Sequence, residues 1–207
     1  MYKRTILRVL WILLPLLLAL AACGSGSSTE TQQNAAPAQG NTPQMQGGTA
    51  SNTSGNSSNA IRQWASRAEA SSEYGSVDFA ASQATGASNT PDCGDASTAW
   101  ASLNQDTKET LDLYFAQPVY ATQINVFETY YPDQVAQVDL IDMEGKFITV
   151  YSGQPQWLES SCPYTLSISV NKDDVLAQGV RLTVDQTVVK NWNEIDAVEI
   201  VGTPGEQ

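Results

Sequence analysis

Short stretches in which apolar and polar residues alternate fill the chain from about residue 61 to residue 202, and this pattern constrains the fold most. Side chains of a β-strand point alternately to opposite faces, so such stretches predict strands with one buried face. They occupy residues 110–115, 121–128, 137–142, 146–151, 164–170, 180–185 and 195–201. Many short strands without a long amphipathic helix indicate an all-β sandwich or barrel.

The same region contains signals for further elements. Glu144 and Gly145 lie between two of the alternating stretches and predict the turn of a β-hairpin. Weaker strands are expected near Ala68–Tyr74 and Ala99–Ser102. We therefore assign residues 61–203 to one β-sandwich domain, followed by a short tail at residues 204–207.

A different composition precedes this domain. Residues 24–59 are rich in Ser, Asn, Gly, Gln and Thr and contain almost no large apolar side chain. Such a segment cannot bury enough apolar surface to offset the entropy lost on ordering. Together with Cys23, residues 23–60 are therefore predicted to form a disordered linker.

The first 22 residues have the layout of a signal peptide. Bases at Lys3, Arg4 and Arg8 precede an apolar run, Val9–Ala22, that is short for a transmembrane helix. The run ends in Leu20-Ala21-Ala22-Cys23, which resembles the bacterial lipobox. This resemblance implies cleavage before Cys23 and lipidation of its thiol. Ordinary secretion is the alternative, because Ala19-Leu20-Ala21 also fits a signal-peptidase site.

Charge and attachment define the expected partners. The chain has a formal net charge of −12, which disfavours nucleic acid and anionic lipid surfaces. Membrane attachment is therefore expected through a lipid on Cys23. The predicted location is extracytoplasmic, anchored to the bacterial cell membrane or envelope.

The remaining cysteines are Cys93 and Cys162. In an oxidising exterior, two cysteines favour a disulfide, and this is the prediction for Cys93 and Cys162. Two buried free thiols are the alternative.

The residue inventory argues against catalysis. The chain has no histidine, which excludes Ser-His and Cys-His dyads and histidine-ligated zinc. Acids are plentiful and paired carboxylates could serve a glycosidase, but nothing in the sequence marks two of them as a pair. The chain is accordingly predicted not to be an enzyme.

Two segments resemble a known group of domains. Gly94-Asp95-Ala96-Ser97-Thr98-Ala99-Trp100 resembles a loop of discoidin-like, or galactose-binding-like, domains, and the closing stretch 192–202 resembles their last strand. Between them, Pro118-Val119-Tyr120 and Glu128-Thr129-Tyr130 resemble the module found in pappalysins. The resemblance implies a jelly-roll β-sandwich with a binding role. Pappalysins owe their proteolysis to a separate zinc domain with a His-containing motif, and because this sequence has no histidine the resemblance is expected to carry the fold and the binding role rather than the activity.

The resemblance also implies a possible structural calcium ion. Asp95 and Thr98 match the loop pattern, Asp92 is a nearby candidate, and Asp196 is the acid next to the expected position on the last strand, where this chain has Ala197. In the alternative, Asp196 accepts hydrogen bonds from the backbone of residues 81–100. Glu199 is expected on the wet face or at a strand edge.

Loops at one end of the sandwich are expected to bind the ligand. Aromatic side chains with polar neighbours suit sugar stacking or protein contacts, and the candidates are Tyr130, Tyr131, Trp157, Lys190 and Asn191. Trp100 and Trp192 are predicted to fill the core.

These observations predict a membrane-anchored, non-catalytic binding module for a glycan or a surface protein. One alternative is a structural module that docks in an envelope complex. The other is a hydrolase that uses carboxylates.

Overall fold

The computed structural model describes residues 59–159 and 164–206. Every described residue belongs to one compact unit within residues 53–207. The predicted signal peptide, Cys23, most of the linker and Cys162 lie outside the described residues. Within the described ranges, no helix is long and apolar enough to cross a membrane.

The described residues form an antiparallel β-structure with one short 3₁₀ helix, Ala81–Ala84. The eight strands are β1 (Ile61–Trp64), β2 (Arg67–Ala70), β3 (Lys108–Tyr130), β4 (Val135–Asp142), β5 (Phe147–Ser152), β6 (Tyr164–Ser169), β7 (Leu176–Asp185) and β8 (Glu194–Pro204).

The 23-residue strand β3 belongs to both layers of the sandwich. Its first half pairs with β2 and β7, and β4 and β5 continue that sheet beyond β7. Its second half pairs with β6 and β8, and β1 lies outside β8. The pairing with β7 is irregular between Tyr114 and Val119, where Pro118 has no backbone N–H to donate. The strand therefore changes sheets at this point.

The core lies between the two layers and follows the predicted alternation. Leu111 and Leu113 of β3 are fully buried, as are Val180, Leu182 and Val184 of β7. Their polar neighbours in sequence are more accessible on the outer face. The prediction of an all-β sandwich is confirmed.

The structure also corrects local predictions. Residues 110–115 and 121–128 form parts of one strand, β3, rather than two strands. Residues 99–102 contribute only an isolated bridge between Trp100 and Ile195. The predicted turn at Gly145 is present, with a φ angle of 80° that glycine adopts without strain.

The two tryptophans predicted to fill the core differ. Trp100 is fully buried, and its indole N–H donates to the carbonyl of Ser72 at 3.1 Å. Trp192 is only half-buried and lines a surface pocket, so its assignment to the core was wrong. It lies in the loop before β8 and donates its indole N–H to the carbonyl of Ser102.

Candidate functional site

Loops that follow β3, β5 and β7 meet at one end of the sandwich, beside the loop that contains Cys93. The backbone N–H of Gln156 donates to the carbonyl of Asp133 at 2.9 Å, and that of Gly94 donates to Thr129 at 3.0 Å. The Gln134 amide donates to the carbonyl of Asn191 at 3.3 Å. These bonds bring most of the predicted site residues to one surface.

Tyr130, Tyr131 and Trp157 form a cleft, called here the aromatic cleft. The ring of Tyr131 stacks on Trp157, with centroids 5.2 Å apart and planes inclined by 29°. Tyr130 meets Tyr131 edge to face at 4.8 Å. The cleft has a volume of about 310 Å³, and its other walls are Cys93, Gly94, Thr129, Pro132, Leu158 and Glu159. Trp157 is 49% exposed, so its ring is available to a ligand.

The loop beneath the cleft holds Trp157 in place. The side-chain amide of Gln156 donates to the Asp133 carboxylate at 2.6 Å, in addition to the backbone bond between these residues. Tyr131 and Asp133 both have positive φ angles, 40° and 76°. A tyrosine in this conformation is strained, and such strain is concentrated at functional sites.

A buried polar layer supports the same loop. The Glu128 carboxyl accepts hydrogen bonds from the Asp133 backbone N–H at 2.9 Å and the Asn193 amide at 2.7 Å. Asn193 and Gln134 also donate to the carbonyl of Tyr131. Burial raises the pKa of Glu128 to about 7, although the hydrogen bonds from Asp133 and Asn193 oppose this. The carboxyl is thus partly protonated at neutral pH.

A second pocket, called here the carboxyl pocket, lies near the cleft on the Asp95 side of the Cys93 loop. It has a volume of about 130 Å³ and is lined by Tyr74, Phe79, Asp95, Ala101, Trp192 and Glu194. Glu194 is 2% exposed and accepts a hydrogen bond from the backbone N–H of Ala96 at 2.9 Å.

Asp95 and Glu194 interact directly in this pocket. Burial and the hydrogen-bonded Asp95 carboxylate raise the pKa of Glu194 to about 8. At neutral pH the Glu194 carboxyl is therefore largely protonated. Glycosidases hold their catalytic carboxyls about 5–9.5 Å apart, and a directly hydrogen-bonded pair does not have that spacing.

Asp196 lies on β8 and is 1% exposed. Its carboxylate accepts hydrogen bonds from the backbone N–H of Asn89 at 3.2 Å and of Thr90 at 3.4 Å, and from the Thr90 hydroxyl at 2.9 Å. The Thr90 hydroxyl also bonds the Thr98 hydroxyl at 2.6 Å. This arrangement fits the alternative in which Asp196 ties the last strand to the 81–100 segment.

The other predicted calcium ligands, Asp92, Asp95 and Thr98, line one depression of about 270 Å³. Calcium takes six to eight oxygen ligands, whereas hydrogen-bond donors already contact both Asp196 oxygens. Asp95 interacts instead with Glu194. The described residues also contain no group of three His, Cys, Asp or Glu side chains that could hold a metal ion. The four predicted ligands therefore do not provide the set of free oxygen atoms that calcium requires, and calcium binding stays a prediction.

The remaining predicted site residues lie apart from the cleft. Asn191 uses its side-chain oxygen to accept from the backbone N–H of Trp192 at 2.9 Å, and neither Asn191 nor Lys190 lines the aromatic cleft. Cys93 lies on the rim of the cleft and is disulfide-bonded. Its pairing with Cys162 stays a prediction, because Cys162 lies outside the described residues.

Three residues that support the aromatic cleft or line the carboxyl pocket were not among the site residues predicted from the sequence. They are Glu128, Trp192 and Glu194. Glu128 was named only as part of the Glu128-Thr129-Tyr130 pattern, and Glu194 lies two residues before Asp196, but an acid at the end of a strand gives no sign of its burial. Glu199 was expected to face water, yet it is 6% exposed. It accepts from the Arg62 guanidinium at 2.9 and 2.6 Å and from Asn125 at 2.7 Å.

Residues 53–207 match the family described as "Pappalysin-1, SD scarf domain, C-terminal". The chain belongs to this family. The match confirms the predicted resemblance to the pappalysin module. A search of curated proteins finds no significant match.

Two solved structures support the fold. One is a variant of chitosan-binding module 1 from the chitosanase/glucanase of Paenibacillus sp. IK-5, with 18% identity, a TM-score of 0.50, and coverage of 66% of this chain and 93% of that one. The other is the lectin domain of lectinolysin complexed with Lewis B antigen, with 12% identity, a TM-score of 0.50, and coverage of 66% and 92%. Both likenesses establish the β-sandwich.

Proposed function

We propose that this pappalysin scarf-domain relative is a non-catalytic module that binds a glycan in the aromatic cleft. The observation that carries the proposal is the Tyr131–Trp157 stack, whose half-exposed indole presents a flat apolar surface beside polar groups. Sugar rings stack on such surfaces, while a few polar side chains fix their orientation. The saccharide ligands named for the two structural relatives agree with this choice of ligand.

The proposal includes a location. The lipobox-like Leu20-Ala21-Ala22-Cys23 supports anchoring through a lipid on Cys23, and the polar linker after it supports display of the domain away from the membrane. The module acts on the extracytoplasmic side of the bacterial envelope. Labelling with a radioactive or clickable fatty acid, with Cys23→Ser as the unlabelled control, tests the anchor.

A glycan array probed with residues 53–207, the compact unit, tests ligand binding. Trp157→Ala is expected to weaken binding of every positive glycan at least about tenfold, because it removes the exposed stacking surface. It should change the free energy of unfolding by less than about 1 kcal/mol, because the ring is half-exposed.

Tyr120→Ala is the matched control. Tyr120 is 36% exposed on β3, ten residues before Tyr130, and does not line the cleft. This variant should bind glycans as the unaltered domain does. Unchanged binding by Trp157→Ala would place the ligand elsewhere, and an array without positive glycans would favour a protein partner.

A further inference from the structure

The walls of the carboxyl pocket are aromatic. Tyr74 meets Phe79 edge to face at 5.4 Å and meets Trp192 in the same way at 5.6 Å, with interplanar angles of 79° and 85°. Rings at right angles to one another enclose a small volume from several sides. The faces of Trp, Tyr and Phe rings attract cations, and such enclosures recognise ammonium groups in particular.

The charge in the pocket is negative and has no counter-ion in the part of the chain that the structure describes. Asp95 and Glu194 both line it, and no ion pair among the described residues involves either of them. By contrast, the buried Glu199 is paired with Arg62. A carboxylate that is largely removed from water requires a proton or a cation as its partner. The carboxyl pocket therefore has a place for a positive group.

We propose that the carboxyl pocket binds an ammonium group of a ligand. The Tyr74, Phe79 and Trp192 rings contact the methyl or methylene groups around the nitrogen, and the carboxylates of Asp95 and Glu194 neutralise its charge. A hard metal ion suits the pocket less well, because aromatic carbon supplies none of the six to eight oxygens that calcium takes. This inference does not depend on glycan binding in the aromatic cleft.

Ligand binding should release a proton. Without a ligand, Glu194 holds a proton at neutral pH, since its pKa is about 8. The other titratable groups close to the pair are the phenols of Tyr74 and Tyr130, and the pKa of Tyr130 is raised by its burial, by Tyr131 and by the two acids. Affinity for a permanently charged ammonium should therefore rise as the pH passes about 8.

Titration of the full chain with choline tests the inference, with nuclear magnetic resonance of the Trp192 indole N–H as the readout. The control ligand is the neutral isostere in which carbon replaces the choline nitrogen. We expect choline to bind at least about tenfold more tightly than the isostere, because only choline carries the charge. Equal binding of the two compounds, or no saturable binding of choline, would overturn the inference.

Variants of the pocket give an independent test. Asp95 is exposed, so Asp95→Asn should fold normally and lower choline affinity about three- to tenfold. Tyr74→Leu, also at an exposed position, keeps an apolar wall and should lower it about threefold. Tyr120→Leu is the control and should have no effect. Glu194→Gln should remove the dependence on pH, and an unchanged pH profile in this variant would contradict the assignment.

Glucosamine and Nα-acetyl-lysine methyl ester, each compared with the form in which its one free amine is also acetylated, distinguish a saccharide source of the ammonium from a peptide source. Acetylation removes the positive charge, so it should abolish binding of whichever compound the pocket accepts. Equal binding before and after acetylation would contradict the inference. The proposal for the aromatic cleft would stand in that case, because the glycan array reports on it through Trp157.

Discussion

The buried acids in the two halves of β8 differ in their hydrogen-bonding and ionic partners. In the second half, Glu199 is held by the Arg62 guanidinium and by Asn125, so its charge has a positive partner. The first half lies at the loop end of the sandwich. There the Glu194 and Asp196 carboxyls accept hydrogen bonds from backbone N–H groups and a hydroxyl, which carry no charge. The buried carboxylate in the second half of β8 is thus neutralised by a cation of the protein. The buried carboxyls at the loop end have no such cation among the described residues and stay available to a ligand.

The lack of a cation near the buried acids at the loop end also applies to β3, the strand that pairs with β8. Glu128 of β3 pairs in register with Ile195 of β8, and it too lies at the loop end without a cation. Burial raises the pKa of Glu128 to about 7, and burial with Asp95 raises that of Glu194 to about 8. Raised pKa values at a concave surface are typical of binding sites, where a local cost in stability accompanies function.

The largest effect is expected at Asp196. Asp196→Ala leaves the Asn89 and Thr90 backbone N–H groups and the Thr90 hydroxyl without their acceptor, which should lower the free energy of unfolding by about 4 kcal/mol. Asp196→Asn keeps one acceptor oxygen and should lose about half as much. Denaturant unfolding measures both. A loss below about 1 kcal/mol in Asp196→Ala would contradict the tie between β8 and the 81–100 segment.

Thermal melting with calcium and with chelator decides the calcium prediction. Because hydrogen-bond donors already contact both Asp196 oxygens, the melting midpoint of the unaltered chain should be the same with calcium and with chelator. A calcium-dependent rise that is lost in Asp196→Ala would instead establish the predicted metal site.

A smaller effect is expected at Glu128. A carboxyl whose pKa is raised on folding binds its proton more tightly in the folded chain, so its contribution to stability is complete below its ordinary pKa of 4.5. That contribution is lost as the pH rises through about 7. The shift corresponds to about 3 kcal/mol, so Glu128 alone should lower stability by about that amount between pH 5 and pH 8, in addition to the fall that Glu194 causes.

Glu128→Gln tests this contribution directly. The amide keeps an acceptor for the Asp133 N–H and carries no charge, so the variant should be more stable than the unaltered chain at pH 8 and similar at pH 5. Unfolding free energies at the two pH values measure the effect. Equal slopes in both proteins would show that Glu128 titrates normally.

The fold and part of the site could be predicted from the sequence because both depend on local patterns. Alternation identified β7 and β8, and the candidate ligand-binding residues included Tyr130, Tyr131 and Trp157, which line one cleft in the structure. Other features depend on tertiary contacts that no local pattern reports. The continuous strand β3 requires neighbours on both sheets, and the burial of Glu128 requires Asn193, which is 65 residues away.

The three acids of β8 illustrate this limit. Asp196 and Glu199 were noticed because they interrupt an apolar strand, while Glu194 begins the strand and was given no role. Their environments are set by partners distant in the sequence, which are Thr90, Arg62 and Asp95 respectively. Alternation therefore predicted the strand, but it predicted neither the burial of Glu194 and Glu199 nor which acids have a cation.

The smallest effect is expected at Glu199, where the substitution made at Glu128 should act in the opposite direction. Glu199→Gln weakens the two contacts with Arg62, and because Arg62 is largely exposed the loss should be modest. The melting midpoint should fall by about 2–4 °C at pH 5 and at pH 8 alike. Stabilisation of Glu199→Gln at pH 8 would mean that Arg62 does not compensate this carboxylate, and the two halves of β8 would then not differ.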